Sequence, residues 1–194
     1  MITLPKLILA SGSPRRAEIL RSVGWDFEKA PPDIDESERP GESPEDYVLR
    51  LAREKGEIVS HKFAGEVILA ADTTVVVDNQ MIGKPADMDD ARRMLRMLSG
   101  KRHEVLTGVA VIQNGDVRLG LQRTAVEFAE LSDAEVEFLA EKGDPLDKAG
   151  AYAVQAQAAL FIKGIEGDYW NVVGLPISLV YEMIRVQIGA GPLE

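Results

Sequence analysis

The run Val67-Ile68-Leu69-Ala70-Ala71-Asp72-Thr73-Thr74-Val75-Val76-Val77 constrains the fold of this chain more than any other segment. It lacks the apolar/polar alternation of a half-exposed strand, so it reads as a strand covered on both faces. Strands of that kind belong to α/β architectures, with helices packed on the sheet. The remainder of the chain agrees. Leu7-Ile8-Leu9-Ala10 reads as a strand, and Ser13-Pro14 as the cap and first residue of a helix continued by Glu18, Ile19, Leu20 and Val23. Residues 26–29 suggest a short strand, and residues 30–42 a polar loop rich in proline and acid. Ser43-Pro44-Glu45-Asp46 opens a second helix with apolar face Tyr47, Val48, Leu51, Ala52, Ile58 and Val59. A turn at Asp78-Asn79-Gln80 precedes a third helix over about 88–99. Asn114-Gly115 joins two long strands, about 103–113 and 116–129, as a hairpin. Ser132-Asp133-Ala134-Glu135 is a capping box for a fourth helix ending near Gly143. Another strand region follows Gly150, and Gly174-Leu175-Pro176 opens a last helix with face Ile177, Val180, Tyr181, Ile184 and Ile188. The tail 189–194 is expected to fray. No repeat or linker divides the chain, so residues 1–194 are taken as a single domain, with two lobes open as an arrangement.

Composition narrows the chemistry. A net charge of −10 gives the surface no general attraction for nucleic acid or anionic membrane, so an anionic substrate needs a local basic pocket. The absence of cysteine removes disulfides, thiol catalysis and cysteine-bound metals, and suits a cytoplasmic protein. No apolar run reaches about 18 residues, and Pro5 and Lys6 interrupt any signal-peptide pattern. The two histidines, His61 and His103, have no partner in spacing and are read as structural or surface residues. Any metal would therefore be held by carboxylates, which favours hard ions.

Three features carry chemistry. Ser11-Gly12-Ser13-Pro14-Arg15-Arg16 puts two forked donors at a helix start, where N–H groups and the helix dipole already favour anions. Asp72 is a carboxylate within an apolar strand. It either lies past a strand end and caps a turn with Thr73 and Thr74, or serves as a general base or metal ligand. Lys55 falls three residues after Ala52 and four after Leu51, so it points inward with the apolar face or snorkels from its edge. Lys84, between Gly83 and Pro85, Lys148 beside Asp147, the acids Asp35, Glu36 and Glu38, and Gln155 and Gln157 among alanines complete the set. Gln155 reads as an outer strand position or a base-reading amide. Cations, a buried acid and an acidic loop are the components of metal-assisted attack on a polyphosphate.

These segments resemble one family. Leu9-Ala10-Ser11-Gly12-Ser13-Pro14-Arg15-Arg16, Leu51-Ala52-Arg53-Glu54-Lys55, Ala71-Asp72-Thr73, Gly83-Lys84-Pro85, Leu98-Ser99-Gly100, Asp144-Pro145-Leu146-Asp147-Lys148-Ala149-Gly150-Ala151-Tyr152 and Val173-Gly174-Leu175-Pro176 are similar to the motifs of the Maf family, in order along nearly the whole chain. The resemblance implies an α/β fold with an elongated mixed β-sheet flanked by helices and two lobes around a central cleft, similar to inosine triphosphate pyrophosphatases. It implies hydrolysis of a nucleoside triphosphate to the monophosphate and pyrophosphate with a divalent cation (Mg, Mn or Co). By motif, Asp72 is the catalytic proton acceptor, and Ser11, Arg15, Arg16, Lys55, Lys84 and Lys148 bind phosphate. The resemblance also implies Glu36 and Asp72 as metal ligands. Arg15, Thr73 and Gln155 resemble the trio of the dTTP/UTP branch. Ala153 and Ala156 stand where the family often has glycine, which restricts the backbone there. The implied partners are a nucleoside triphosphate and a second copy of the chain, without nucleic acid or membrane. The alternatives are the 7-methyl-GTP branch and a nucleotide-binding regulator of cell division and septum formation.

Overall fold

The computed structural model describes residues 4–189. Seven strands form one sheet in the order β2-β1-β3-β5-β6-β7, with β4 pairing on β3. They are β1 (Leu7–Leu9), β2 (Phe27–Lys29), β3 (Val67–Val77), β4 (Gln80–Ile82), β5 (Arg102–Gln113), β6 (Asp116–Phe128) and β7 (Ile162–Glu166). β1 runs parallel to β2 and β3, while β4 on β3 and β7 on β6 are antiparallel, so the sheet is mixed. The helices are α1 (Pro14–Ser22), α2 (Pro44–Ser60), α3 (Met88–Leu98), α4 (Asp133–Lys142), α5 (Tyr169–Val173) and α6 (Ile177–Gln187). No helix among the described residues is long and apolar enough to cross a membrane. The fraying expected of 189–194 falls, from 190 onward, outside the described residues.

The chain divides into two compact units. The first comprises the chain up to Asp72, Thr107–Gln122 and the segment from Gly174, and the second comprises Thr73–Leu106 and Arg123–Val173. In the first, α2 covers the sheet over a core of Ile8, Ala10, Ala52, Val59, Ile68, Ala70, Ala110 and Ile112. Close approach is possible because Gly108 of β5 has no side chain. A Cβ there would lie 2.3 Å from the Val48 carbonyl oxygen of α2. The second unit is centred on three rings, His103, Phe128 and Tyr152, with centroids 5.0–5.7 Å apart. Its helices α3 and α4 are tied by a two-pronged pair, Arg92 to Glu137 at 2.6 and 2.8 Å.

Most expected elements appear within a residue or two, including the Asn114-Gly115 turn with positive φ at both residues and the capping box at Ser132. Four expectations are corrected. Ser13 takes the cap position of α1, but its side chain makes no cap hydrogen bond. Ile58 and Ile188 are exposed at 40% and 42%, because the buried stripe of α2 runs Val48, Leu51, Ala52, Lys55, Gly56 and Val59, and that of α6 ends at Ile184. The region after Gly150 is not a strand until Ile162. Positive φ at Gly150 and Ala151 breaks the extension, and short 3-10 turns at Pro145–Asp147, Ala149–Ala151 and Gln157–Leu160 fill it. Gln155 accordingly lies exposed in a turn, not on a strand face. The short helix α5 had no signal among the apolar patterns.

Candidate active site

The parallel strands β1 and β3 keep register from Leu7 with Val67 to Leu9 with Leu69. Past Leu9, the chain turns at Ser11, whose N–H bonds back to the Leu9 carbonyl at 2.9 Å, and enters α1. β3 continues straight and brings Asp72 three residues beyond Leu69. Ser11, the start of α1 and Asp72 thus lie beyond the carboxyl end of β1, the edge where parallel sheets place ligands.

The start of α1 differs in composition from those of α2, α3 and α4, and, unlike that of α6, which also lacks acid and a side-chain cap, it carries two arginines. α2, α3 and α4 begin with acids (Glu45 and Asp46, Asp89 and Asp90, Asp133 and Glu135) and with side-chain caps. α1 begins Pro14-Arg15-Arg16 with no acid in its first turn and no side-chain cap. The dipole and N–H groups there are thus not neutralised by the protein's own carboxylates. Ser11 Oγ accepts from the Ser13 N–H at 3.2 Å and from Arg16 Nη1 at 3.1 Å. With its lone pairs so engaged, the hydroxyl is oriented to donate its proton. Arg16 is buried at 9% exposure, and its Nε donates to the Gly174 carbonyl at 2.8 Å. Through these bonds it braces Ser11 and the entry to α6. Burial lowers its pKa, the Asp72 charge raises it, and Arg15 lowers and Glu36 raises it to a smaller extent. Arg15 is half-buried.

Asp72 lies inside β3, at 7% exposure, so the reading of a turn cap past a strand end is excluded. Its charge is met by Lys55, also 7% exposed, whose Nζ lies 2.6 Å from Asp72 Oδ1. The same ammonium lies 2.7 Å from Glu36 Oε1. Lys55 therefore points inward, as the 48-51-52-55-56-59 stripe of α2 requires. Glu36 comes from the acidic loop, which is fixed to α2 by the Tyr47 hydroxyl donating to the Glu36 carbonyl at 3.0 Å. The Tyr47 phenol is pushed up to about 12, first by burial and then by Asp72, Glu36 and Glu38.

Two carboxylates converging on one positive centre form an oxygen donor set that suits a hard divalent ion. No cluster of three or more candidate ligands occurs among the described residues, so Glu36 and Asp72 would supply part of the coordination and leave the rest to water and phosphate.

The remaining expected residues belong to the second unit. Thr73 follows Asp72 in β3 and is half-buried. Lys84 is exposed, in a turn whose Gly83 carbonyl accepts the Gly150 N–H at 3.0 Å. Lys148 is buried, with its ammonium bonded to the Asp144 carbonyl and, at 2.6 Å, to Asp147 Oδ1. In this state it staples its own loop. Residues that the motifs did not flag hold the acidic loop: Tyr47, Arg50 and Glu42.

Comparison with known proteins gives consistent results. The family described as Maf-like protein matches residues 6–187. A protein of Anaeromyxobacter dehalogenans (strain 2CP-C), named dTTP/UTP pyrophosphatase, is 50% identical over 186 residues, 93% of each chain. One from Symbiobacterium thermophilum with the same name is 47% identical over 181 residues, again 93% of each. Among solved structures, the Staphylococcus aureus Ham1 protein matches with TM-score 0.51 at 14% identity, over 94% of this chain and 99% of that one, a likeness of fold alone.

Proposed function

The chain belongs to the Maf family, and from that premise we propose that it is a nucleoside triphosphate pyrophosphatase acting on dTTP and UTP. Water attacks the α-phosphorus, the bond from the bridging oxygen to that phosphorus breaks, and the products are the nucleoside monophosphate and pyrophosphate. One observation carries the catalytic reading: Asp72, buried in an apolar strand, is held by Lys55 beside a helix start stripped of acid. Asp72 takes the proton of the attacking water. Ser11 donates to a phosphate oxygen, and Arg15 with the α1 N–H groups binds the polyphosphate. Arg16 holds Ser11 in place. Lys55 holds the Asp72 and Glu36 carboxylates in position and offers its charge to the phosphates.

A divalent cation on Glu36 and Asp72 would neutralise charge developing on the leaving pyrophosphate. Lys84 and Lys148 are proposed as further phosphate ligands, and Arg15, Thr73 and Gln155 as selectors of the pyrimidine. A cytoplasmic setting and a homodimer complete the proposal, and light scattering on the purified chain tests the latter.

The test is pyrophosphate release from dTTP, UTP, CTP, 7-methyl-GTP and ITP with Mg²⁺ or Mn²⁺, for the native chain and Asp72→Asn. Preferred cleavage of dTTP and UTP is expected. Asp72→Asn should bind nucleotide normally and lose at least about 100-fold in kcat, the scale of a positioned general base. Normal turnover in that variant would remove Asp72 from the mechanism, and a purine preference would overturn the assignment of the pocket.

A further inference from the structure

Residues 30–42 form no helix or strand, and they carry Asp33, Asp35, Glu36, Glu38 and Glu42. Such a segment repels itself and has little apolar surface to bury, so by composition it should wander. The structure instead presents one of its carboxylates, Glu36, to Lys55 at 2.7 Å. What restrains it comes from α2. Arg50 grips Glu42 with two prongs, Nε to Oε1 at 2.5 Å and Nη2 to Oε2 at 2.7 Å. Its Nη2 also donates to the Ser37 carbonyl at 3.1 Å, one residue from Glu36. Three residues earlier, Tyr47 holds the Glu36 carbonyl itself. Arg39 of the loop reaches Glu54 of the helix at 2.9 Å, and Glu54 also pairs with Arg50 at 3.3 Å. The Arg50 and Glu42 side chains are 12% and 8% exposed, so water competes weakly for this fork.

We infer that Arg50, with Tyr47, is a positioning residue for the reaction: it latches the acidic loop to α2 and so delivers the Glu36 carboxylate to the cation site. This rests on the proposed pyrophosphatase reading, in which Glu36 helps hold the divalent ion. The geometry favours delivery over a general contribution to stability because both backbone contacts fall at Glu36 and its neighbour. Arg50 itself touches neither Lys55 nor Asp72. Its effect must therefore pass through Glu36. Hydrogen bonding from Arg50 holds the Glu42 carboxyl down at about 2, so the fork stays charged well below neutral pH.

The experiment compares the native chain, Arg50→Ala, Arg50→Lys, Glu36→Gln and the Arg50→Ala/Glu36→Gln double variant. Hydrogen exchange of the 36–42 amides is read first, since it does not depend on activity. Arg50→Ala should speed exchange there while the α1 and β3 amides keep native protection. Unchanged exchange at 36–42 would overturn the latch whatever the enzyme does. Kinetics then ask what the latch delivers. Arg50→Ala should lower kcat, or raise the Mn²⁺ concentration for half-maximal rate, by about 10- to 100-fold, the range for outer partners of metal-site ligands. KM for dTTP should change little. Arg50→Lys should recover only part, since an ammonium cannot serve Glu42 as a fork and Ser37 together. The double variant should be no slower than Glu36→Gln. If the two losses multiply, Arg50 does not act through Glu36 and the inference fails. A native chain that releases no pyrophosphate would instead defeat the functional reading, and the exchange result would still decide the latch.

Discussion

Lys55→Met tests the central ion pair most directly. The Lys55 and Asp72 side chains are 9% and 10% exposed with 2.6 Å between the charged atoms, while Glu36, the second partner, is 45% exposed. Glu36 can turn to water, so its separation from Lys55 should cost little. Asp72 cannot, because β3 fixes it among Ala70, Ala71 and Val75. Removing one partner of a buried pair costs about 3–5 kcal/mol. The nearby Arg16 charge offsets part of that, which places the expected loss near about 3 kcal/mol, or a Tm about 6–12 °C lower for a chain of this size. Asp72→Asn should be milder, since an amide keeps the shape and removes the charge that must be matched. The double variant should then cost about 2 kcal/mol less than the sum of the singles, a coupling typical of charged neighbours. Urea unfolding of the four proteins measures all three terms. Met also removes the resident cation from between Glu36 and Asp72, so Mn²⁺ should raise the Tm of Lys55→Met more than that of the native chain. Strict additivity, or a Lys55→Met loss below about 1 kcal/mol, would refute the view that Lys55 is the partner that stabilises buried Asp72.

Two further outcomes follow from packing and burial. Burial lowers the His103 pKa from 6.5 to about 4, so the folded protein refuses a proton that the unfolded chain accepts. Stability is then intact above 6.5 and falls as pH drops toward 4, by about 3 kcal/mol at about 1.36 kcal/mol per pH unit. His103→Gln should flatten that window in urea titrations at pH 7 and 4.5, and an unchanged slope would show that His103 is not its source. Gly108→Ala should destabilise by about 3 kcal/mol, because its Cβ would meet Val48 backbone at 2.3 Å and no side chain can yield. Gly164→Ala, with open space around it, is the control expected within about 0.5 kcal/mol.

How far the sequence could be read depends on how local each signal is. The long apolar strand, the hairpin turn and the capping box at Ser132 are set by residues within a few positions of one another, and the structure has them within a residue or two of the expected places. Lys55 was legible for the same reason: a period of about 3.6 placed it on the buried stripe, and its only escape was the edge. Ile58 is apolar but lies off that stripe, which passes through Lys55, Gly56 and Val59, so the helical period outweighs apolar character there. The 3-10 turns after Gly150 escaped notice because Ala151 takes a positive φ of 63° that alanine composition does not advertise.

The acidic loop marks where local reading ends. Its charges, taken alone, describe a solvated segment, and α2 taken alone shows Arg50 as one more polar helix residue. The pairing of Arg50 with Glu42, eight residues away and just outside the helix, converts the two, with Tyr47, into a support for Glu36. The helical period does not reach this pairing, because Glu42 lies before the Ser43 cap, outside α2. The residues that perform the chemistry were therefore more legible than those that hold them in place. A catalytic carboxylate conflicts with its apolar neighbours and stands out, whereas a positioning arginine agrees with its polar neighbours and does not.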